Sequence, residues 1–146
     1  MWKIRLKAHA GGENKMMSEE AAFLLSPLIL AYVGDAVWEI EVRTRLVQEG
    51  ERKLRQLHHM AVSKVRAENQ ADRLRTIMDT LSMREQMVVK RGRNAKSGST
   101  RHHNKITDYR ASTGVEALLG YLYLCGNTNR LQEVIEQLYT TKEEKI

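Results

Sequence analysis

Two segments of this 146-residue chain are almost wholly apolar over a helical length, and each carries a single carboxylate. The first, Leu28-Ile29-Leu30-Ala31-Tyr32-Val33-Gly34-Asp35-Ala36-Val37-Trp38, holds Asp35, and the second, Val115-Glu116-Ala117-Leu118-Leu119-Gly120-Tyr121-Leu122-Tyr123-Leu124, holds Glu116. A helix that is apolar around most of its circumference belongs in the middle of a core. Two such helices in a chain of this length define one domain built around their contact. Neither segment supplies the roughly 18–20 uninterrupted apolar residues that cross a bilayer, so a soluble protein with no membrane partner is expected.

The rest of the chain reads as further helices. The single proline, Pro27, follows Ser26 and opens a periodic segment, the arrangement of an N-cap and first helical position, so a helix should run to about Gln48 or Glu49 with Gly50 as its stop. Leu54, Leu57, Met60, Ala61, Val65, Leu74, Ile77 and Leu81 recur at helical spacing and predict two helices broken near Ser63. Ser82-Met83-Arg84-Glu85 matches a capping box, which starts another helix ending near Gly92. The Gly, Ser and Asn content of residues 92–104 marks a loop. A second apolar helix should span about Arg110 to Cys125, stopped by Gly126-Asn127, and Leu131, Val134, Ile135 and Leu138 give a last amphipathic one. With no alternating strand pattern or hairpin dipeptide, the expected class is all-α. The basic start of the chain lacks the apolar core and cleavage site of a secretory signal, so residues 1–17 read as a flexible extension and residues 18–146 as the domain. One cysteine, Cys125, excludes an intrachain disulfide and a Cys-rich zinc site and fits a reducing, cytoplasmic setting.

A carboxylate facing a core is costly unless it is paired or coordinates a metal. Each of the two acids has a glycine nearby, Gly34 beside Asp35 and Gly120 one turn after Glu116. Glycine inside a helix costs about 1 kcal/mol relative to alanine, so both point to close helix approach. Packed together, the two helices would unite Asp35 and Glu116, whose oxygen ligands, with no Cys or His beside them, suit a hard cation such as Mg²⁺. The competing reading pairs each acid with a neighbour such as Arg43 or Arg110. Glu39, one turn after Asp35, would support the site or stand solvated where the helix emerges.

Between Arg84 and Arg110 lie eight basic and two acidic residues, so this stretch carries +6, all of the chain's formal net charge. Clustered Lys and Arg displace counterions from a phosphate backbone, and glycines with short polar side chains let donors approach closely. The stretch contains Arg91, Arg93, Asn94, Lys96, Ser97 and Arg101, with His102 and His103 as further phosphate donors. Its loop, residues 91–105, holds no Phe, Tyr or Trp, so recognition of a duplex backbone suits it better than stacking on unpaired bases. His58 and His59 read as helix-surface residues.

Tyr32-Val33-Gly34-Asp35-Ala36-Val37 resembles the signature of the ribonuclease III family, and Val115-Glu116-Ala117-Leu118-Leu119-Gly120 its second acidic motif. The loop Arg91-Gly92-Arg93-Asn94-Ala95-Lys96-Ser97 and Tyr109-Arg110-Ala111-Ser112-Thr113 are similar to the short Mini-III branch, which lacks a separate double-stranded-RNA-binding domain. This resemblance, from about Leu24 to Leu138, implies an Mg²⁺-dependent endoribonuclease that cuts double-stranded RNA as a homodimer. It further implies trimming of the large-subunit (23S) ribosomal RNA precursor and 5′-phosphate products. Asp35 and Glu116 would be the catalytic, metal-holding carboxylates, and Arg91, Arg93, Asn94, Lys96, Ser97 and Arg101 would grip the RNA. Two acids of the longer family members fall here on Ala31 and Thr113, leaving the site poorer in carboxylates. That departure keeps open a rival function, a non-catalytic helical RNA-binding ribosome-assembly factor.

Overall fold

The structure, a computed structural model, describes residues 16–65, 70–95 and 106–140. All regular structure among them is helical: α1 (Glu19–Leu24), α2 (Pro27–Gln48), α3 (Leu54–Val65), α4 (Gln70–Ile77), α5 (Met83–Asn94), α6 (Ile106–Leu124) and α7 (Thr128–Thr140), with a single 3₁₀ turn, Met78–Thr80, after α4. The all-α expectation holds.

Helix α6 is the axis of the molecule. From Ala111 to Leu122 every residue is buried except Glu116, which is partly so, and α1, α2, α4, α5 and α7 all pack against it. Its polar interruptions are small: Thr113 turns its hydroxyl back to donate to Tyr109 O at 3.0 Å, which spares the core an unpaired oxygen. At its end Gly126, with φ of 73°, takes the left-handed conformation, and Asn127 N donates to Leu122 O at 3.0 Å, closing the expected glycine stop. Helix α2 starts as anticipated, with Ser26 Oγ accepting from Leu28 N and Pro27 in the first turn. Both halves of the capping box are formed at α5, Ser82 Oγ accepting from Glu85 N and Glu85 accepting from Ser82 N. Such a cap contributes about 1 kcal/mol.

Several boundaries differ from expectation. Ser63 does not break the chain, because it sits exposed on α3, which continues to Val65, and α4 begins at Gln70. Gly92 does not end α5 but lies buried inside it, and the helix runs on to Asn94. Helix α6 begins at Ile106, ahead of the expected Arg110. Met16 and Met17 belong to the folded body rather than to an extension, since Met17 N donates to Leu124 O at 3.1 Å and Met16 packs on Gly126. The short α1 has too few residues for a periodic signal. It is held instead by tertiary contacts: Ser18 caps it, Arg84 pairs with its Glu20, and Arg91 donates to the carbonyls of Phe23 and Leu25 just where helix carbonyls lack partners.

Helix α2 also departs from the picture of a fully enclosed core helix. Leu30, Ala31, Gly34, Val37, Trp38, Glu41, Val42 and Leu46 are buried, but Leu28, Ile29, Asp35 and Ala36 are exposed, and Tyr32 is 81% exposed.

Candidate active site

Helices α2 and α6 cross at their glycines with backbone against backbone. A Cβ added to Gly34 would stand 1.6 Å from Glu116 O, and one added to Gly120 would stand 1.9 Å from Leu30 O. No real side chain survives such distances, so the two glycines are what allow the crossing. The crossing then decides where the acids go: Asp35 follows Gly34, and Glu116 is the α6 residue whose carbonyl Gly34 touches. A second, looser glycine crossing, not foreseen from the sequence, joins α5 to α6. A Cβ on Gly92 would lie 3.0 Å from Gly114 Cα, and one on Gly114 would lie 2.9 Å from Val89 O.

Glu116 feels the charge of Asp35. Burial first, and then the Asp35 charge, push the Glu116 pKa up to about 7, against a hydrogen bond from Ser112 Oγ at 3.2 Å that pulls the other way. Partial burial and the charge of Glu39 raise Asp35 as well. Among the described residues no cation pairs with either acid. The expected salt-bridge candidates are placed elsewhere: Arg43 pairs with Glu39 at 2.5 Å, and Arg110 stands exposed. Glu39 is therefore the solvated, ion-paired residue of the two alternatives, contributing repulsion to Asp35 across one helical turn.

Two carboxylates within electrostatic reach of each other, with no cation beside them among the described residues, would suit a divalent cation, whose binding would relieve both their repulsion and their desolvation. Among the described residues no cluster of three or more His, Cys, Asp and Glu side chains that could hold a metal ion forms. Ala31 is buried and Thr113 has spent its hydroxyl on the backbone, so neither position adds a ligand. Ser112, buried one turn before Glu116, is a residue that sequence reading passed over; its signal was the i, i+4 spacing to the acid.

The basic edge is only partly within the described residues. Arg93 and Asn94 are exposed at the last turn of α5. Arg91 is not free to grip RNA: its guanidinium donates to Phe23 O at 2.6 Å and Leu25 O at 3.1 Å and lies over the Phe23 ring, as does that of Arg84. That corrects the expectation for Arg91, whose planar fork is used to fasten α1. Lys96, Ser97, Arg101, His102 and His103 lie outside the described residues. His58 and His59 are exposed on α3, as read from the sequence.

The Ribonuclease III domain family matches residues 28–127, a span that contains both acids and both glycine crossings. The Mini-ribonuclease 3 of Brevibacillus brevis is 48% identical over 120 residues, 82% of this chain and 90% of that protein. The chain belongs to the ribonuclease III family, in its Mini-ribonuclease 3 branch. The Thermoanaerobacter sp. Mini-ribonuclease 3 is 42% identical over 123 residues, covering 84% of this chain and 87% of its relative. A crystal structure of a Fusobacterium nucleatum protein superposes with a TM-score of 0.70 at 27% identity, covering 82% of this chain and 95% of that one. The match accounts for the all-helical architecture and makes the chain an endoribonuclease. No helix among the described residues is long and apolar enough to cross a membrane.

Proposed function

We propose that this Mini-ribonuclease 3 hydrolyses phosphodiester bonds of double-stranded RNA with Mg²⁺, as a homodimer in the cytoplasm, and that its substrate is the large-subunit ribosomal RNA precursor. Asp35 and Glu116 are the catalytic, metal-holding residues in this reading. The observation that carries it is the juxtaposition of two like-charged carboxylates, held by a backbone-to-backbone helix crossing and left without a cation among the described residues.

When bound, the divalent ion would neutralise charge at the scissile phosphate and favour an activated water, the chemistry that leaves a 5′-phosphate and a 3′-hydroxyl. The chain's own residues prepare for this. The α2–α6 crossing fixes both carboxylates before substrate arrives, so no reorganisation is required at the reacting phosphate. Ser112 holds one oxygen of Glu116 and limits its rotamers. Exposed Arg93 and Asn94, continued by Lys96, Ser97 and Arg101, would meet the phosphates and 2′-hydroxyls displayed across the wide minor groove of an A-form duplex. The exposed face of α2, with Ile29, Tyr32 and Ala36, offers a dimer an apolar patch beside Asp35, which would set two cleavage sites on one duplex.

The test is incubation of end-labelled double-stranded RNA with the protein and its Asp35→Asn variant, in Mg²⁺ or EDTA, scoring cleavage and binding separately. Metal-dependent cuts by the wild type alone are expected. Binding without cleavage of both a plain duplex and a structured ribosomal precursor would instead favour the RNA-binding assembly factor.

A further inference from the structure

Thr44, Thr76, Thr113 and Thr140 each turn the side-chain hydroxyl back to the carbonyl four residues earlier, the usual local outlet for a hydroxyl in a helix. Ser112, the neighbour of Thr113 on α6, does otherwise: its Oγ donates one turn forward to Glu116 Oε1 at 3.2 Å. Ser112 is 7% exposed, so little water competes for that hydroxyl. The contact opposes the rise that burial and the charge of Asp35 impose on Glu116, as a donor to an ionised carboxylate does. The main chain at Glu116 is held as well, because Gly34 packs against its carbonyl with no room for a Cβ between them. With the backbone held from α2 and Oε1 held by Ser112, Oε2 is the carboxylate oxygen left without a protein donor among the described residues.

We propose that Ser112 is a positioning residue that sets cation specificity: by occupying Oε1 it makes Glu116 a one-oxygen ligand and tilts the site towards Mg²⁺ and away from Ca²⁺. The inference rests on the metal-holding role proposed for Asp35 and Glu116, and adds which cation the chain's own hydrogen bonding favours. Ca²⁺ gathers about six to eight oxygens and readily takes both oxygens of one carboxylate, whereas Mg²⁺ keeps several waters and draws on one or two carboxylates. To bind an ion through both oxygens, Glu116 would have to give up the Ser112 bond and leave a buried hydroxyl unpaired, a cost that falls on Ca²⁺ and not on Mg²⁺. Binding through Oε2 alone keeps the bond. Thr113 is no substitute for Ser112, since its hydroxyl is spent on Tyr109 O.

The experiment follows thermal unfolding of the metal-free protein without RNA while MgCl₂ or CaCl₂ is added at constant ionic strength, and takes a dissociation constant for each ion from the saturable rise of the midpoint. The part of the response that Asp35→Asn lacks belongs to this site. Alanine fits wherever serine does and favours a helix, so Ser112→Ala folds. In that variant the ratio of the Ca²⁺ to the Mg²⁺ dissociation constant is expected to fall about tenfold, the size of one hydrogen bond to a charged group. Binding of duplex RNA in EDTA should not change, and in cleavage at fixed Mg²⁺ the variant should be inhibited by about one-tenth of the Ca²⁺ that inhibits the wild type. Ser112→Thr keeps the hydroxyl and should retain the wild-type ratio. Should its extra methyl prevent folding, Ser112→Cys keeps the size with a weaker donor and should fall between wild type and Ser112→Ala. An equal ratio in wild type and Ser112→Ala, beside a cation response that Asp35→Asn removes, overturns this inference and leaves the metal reading standing. A wild type without any such response overturns both.

Discussion

Glu85 and Glu116 are the same side chain withdrawn from water in two parts of one small fold, and they are furnished in opposite ways. Glu85, 6% exposed at the start of α5, receives Arg130 Nε and Nη2 at 2.9 Å each, and also accepts from Ser82 N. Burial alone would raise its pKa, but the hydrogen bonds from Arg130 and Ser82 outweigh that and hold it below the ordinary carboxylate range. Among the described residues Glu116 receives only the Ser112 hydroxyl, burial and the charge of Asp35 act on it, and its pKa rises to about 7. The fold builds a bidentate arginine partner for one acid and sets a like charge near the other, which is the contrast on which the proposed metal site rests. The first acid ties α5 to α7; the second, in the proposed reading, would hold a cation.

The largest effect should come from removing the geometry that creates the contrast. Gly34→Ala puts a methyl group into Glu116 O, and a loss above ~4 kcal/mol, amounting to failure to fold, is expected in urea denaturation. Arg130→Met leaves Glu85 buried without its partner and should cost about 3–5 kcal/mol by the same method, while cleavage per folded molecule stays near wild type. Equal stability of Arg130→Met and wild type would erase the distinction between the two acids.

Glu116→Gln should do the reverse, abolishing cleavage while stabilising the metal-free protein above neutral pH. The sign follows from the direction of the shift. Because the folded pKa lies above the unfolded one, the folded state holds the proton more tightly, so Glu116 contributes stability below about pH 4.5 that is lost as pH rises through about 7. The amount is about 3 kcal/mol. Metal-free wild type should therefore weaken across that window in thermal melts, Glu116→Gln should weaken less, and added Mg²⁺ should restore the wild type alone at pH 8. The smallest effect belongs to the basic edge. Arg93→Ala should lower the slope of log affinity against log salt for duplex RNA by about one, without a change in melting, whereas Arg91→Ala should lower the melting midpoint by detaching α1.

What could be read from the chain was what depends on near neighbours. The capping box at Ser82, the proline start of α2 and the glycine stop at Gly126 are local hydrogen-bond and dihedral requirements, and they appeared where expected. The glycines beside the two acids were also legible, because a costly residue in a helix interior asks for a reason. Gly92 was misread because a glycine that ends a helix and one that lets another helix approach look alike without the partner, here Gly114. Arg91 was misread for a related cause: its charge placed it with the phosphate-seeking residues, while its carbonyl partners lie 66 and 68 positions away in the chain.

The sequence by itself determined the helical class, the two apolar segments that must form the centre, and the pair of acids that interrupt them, since these follow from periodicity and from the cost of burying charge. Only the tertiary structure decided which acid is supplied with a counter-charge and which is not, and which face of α2 stays open. Those outcomes depend on how helices distant in sequence cross, and a crossing is settled by side-chain volumes summed over both partners, which neither segment carries alone.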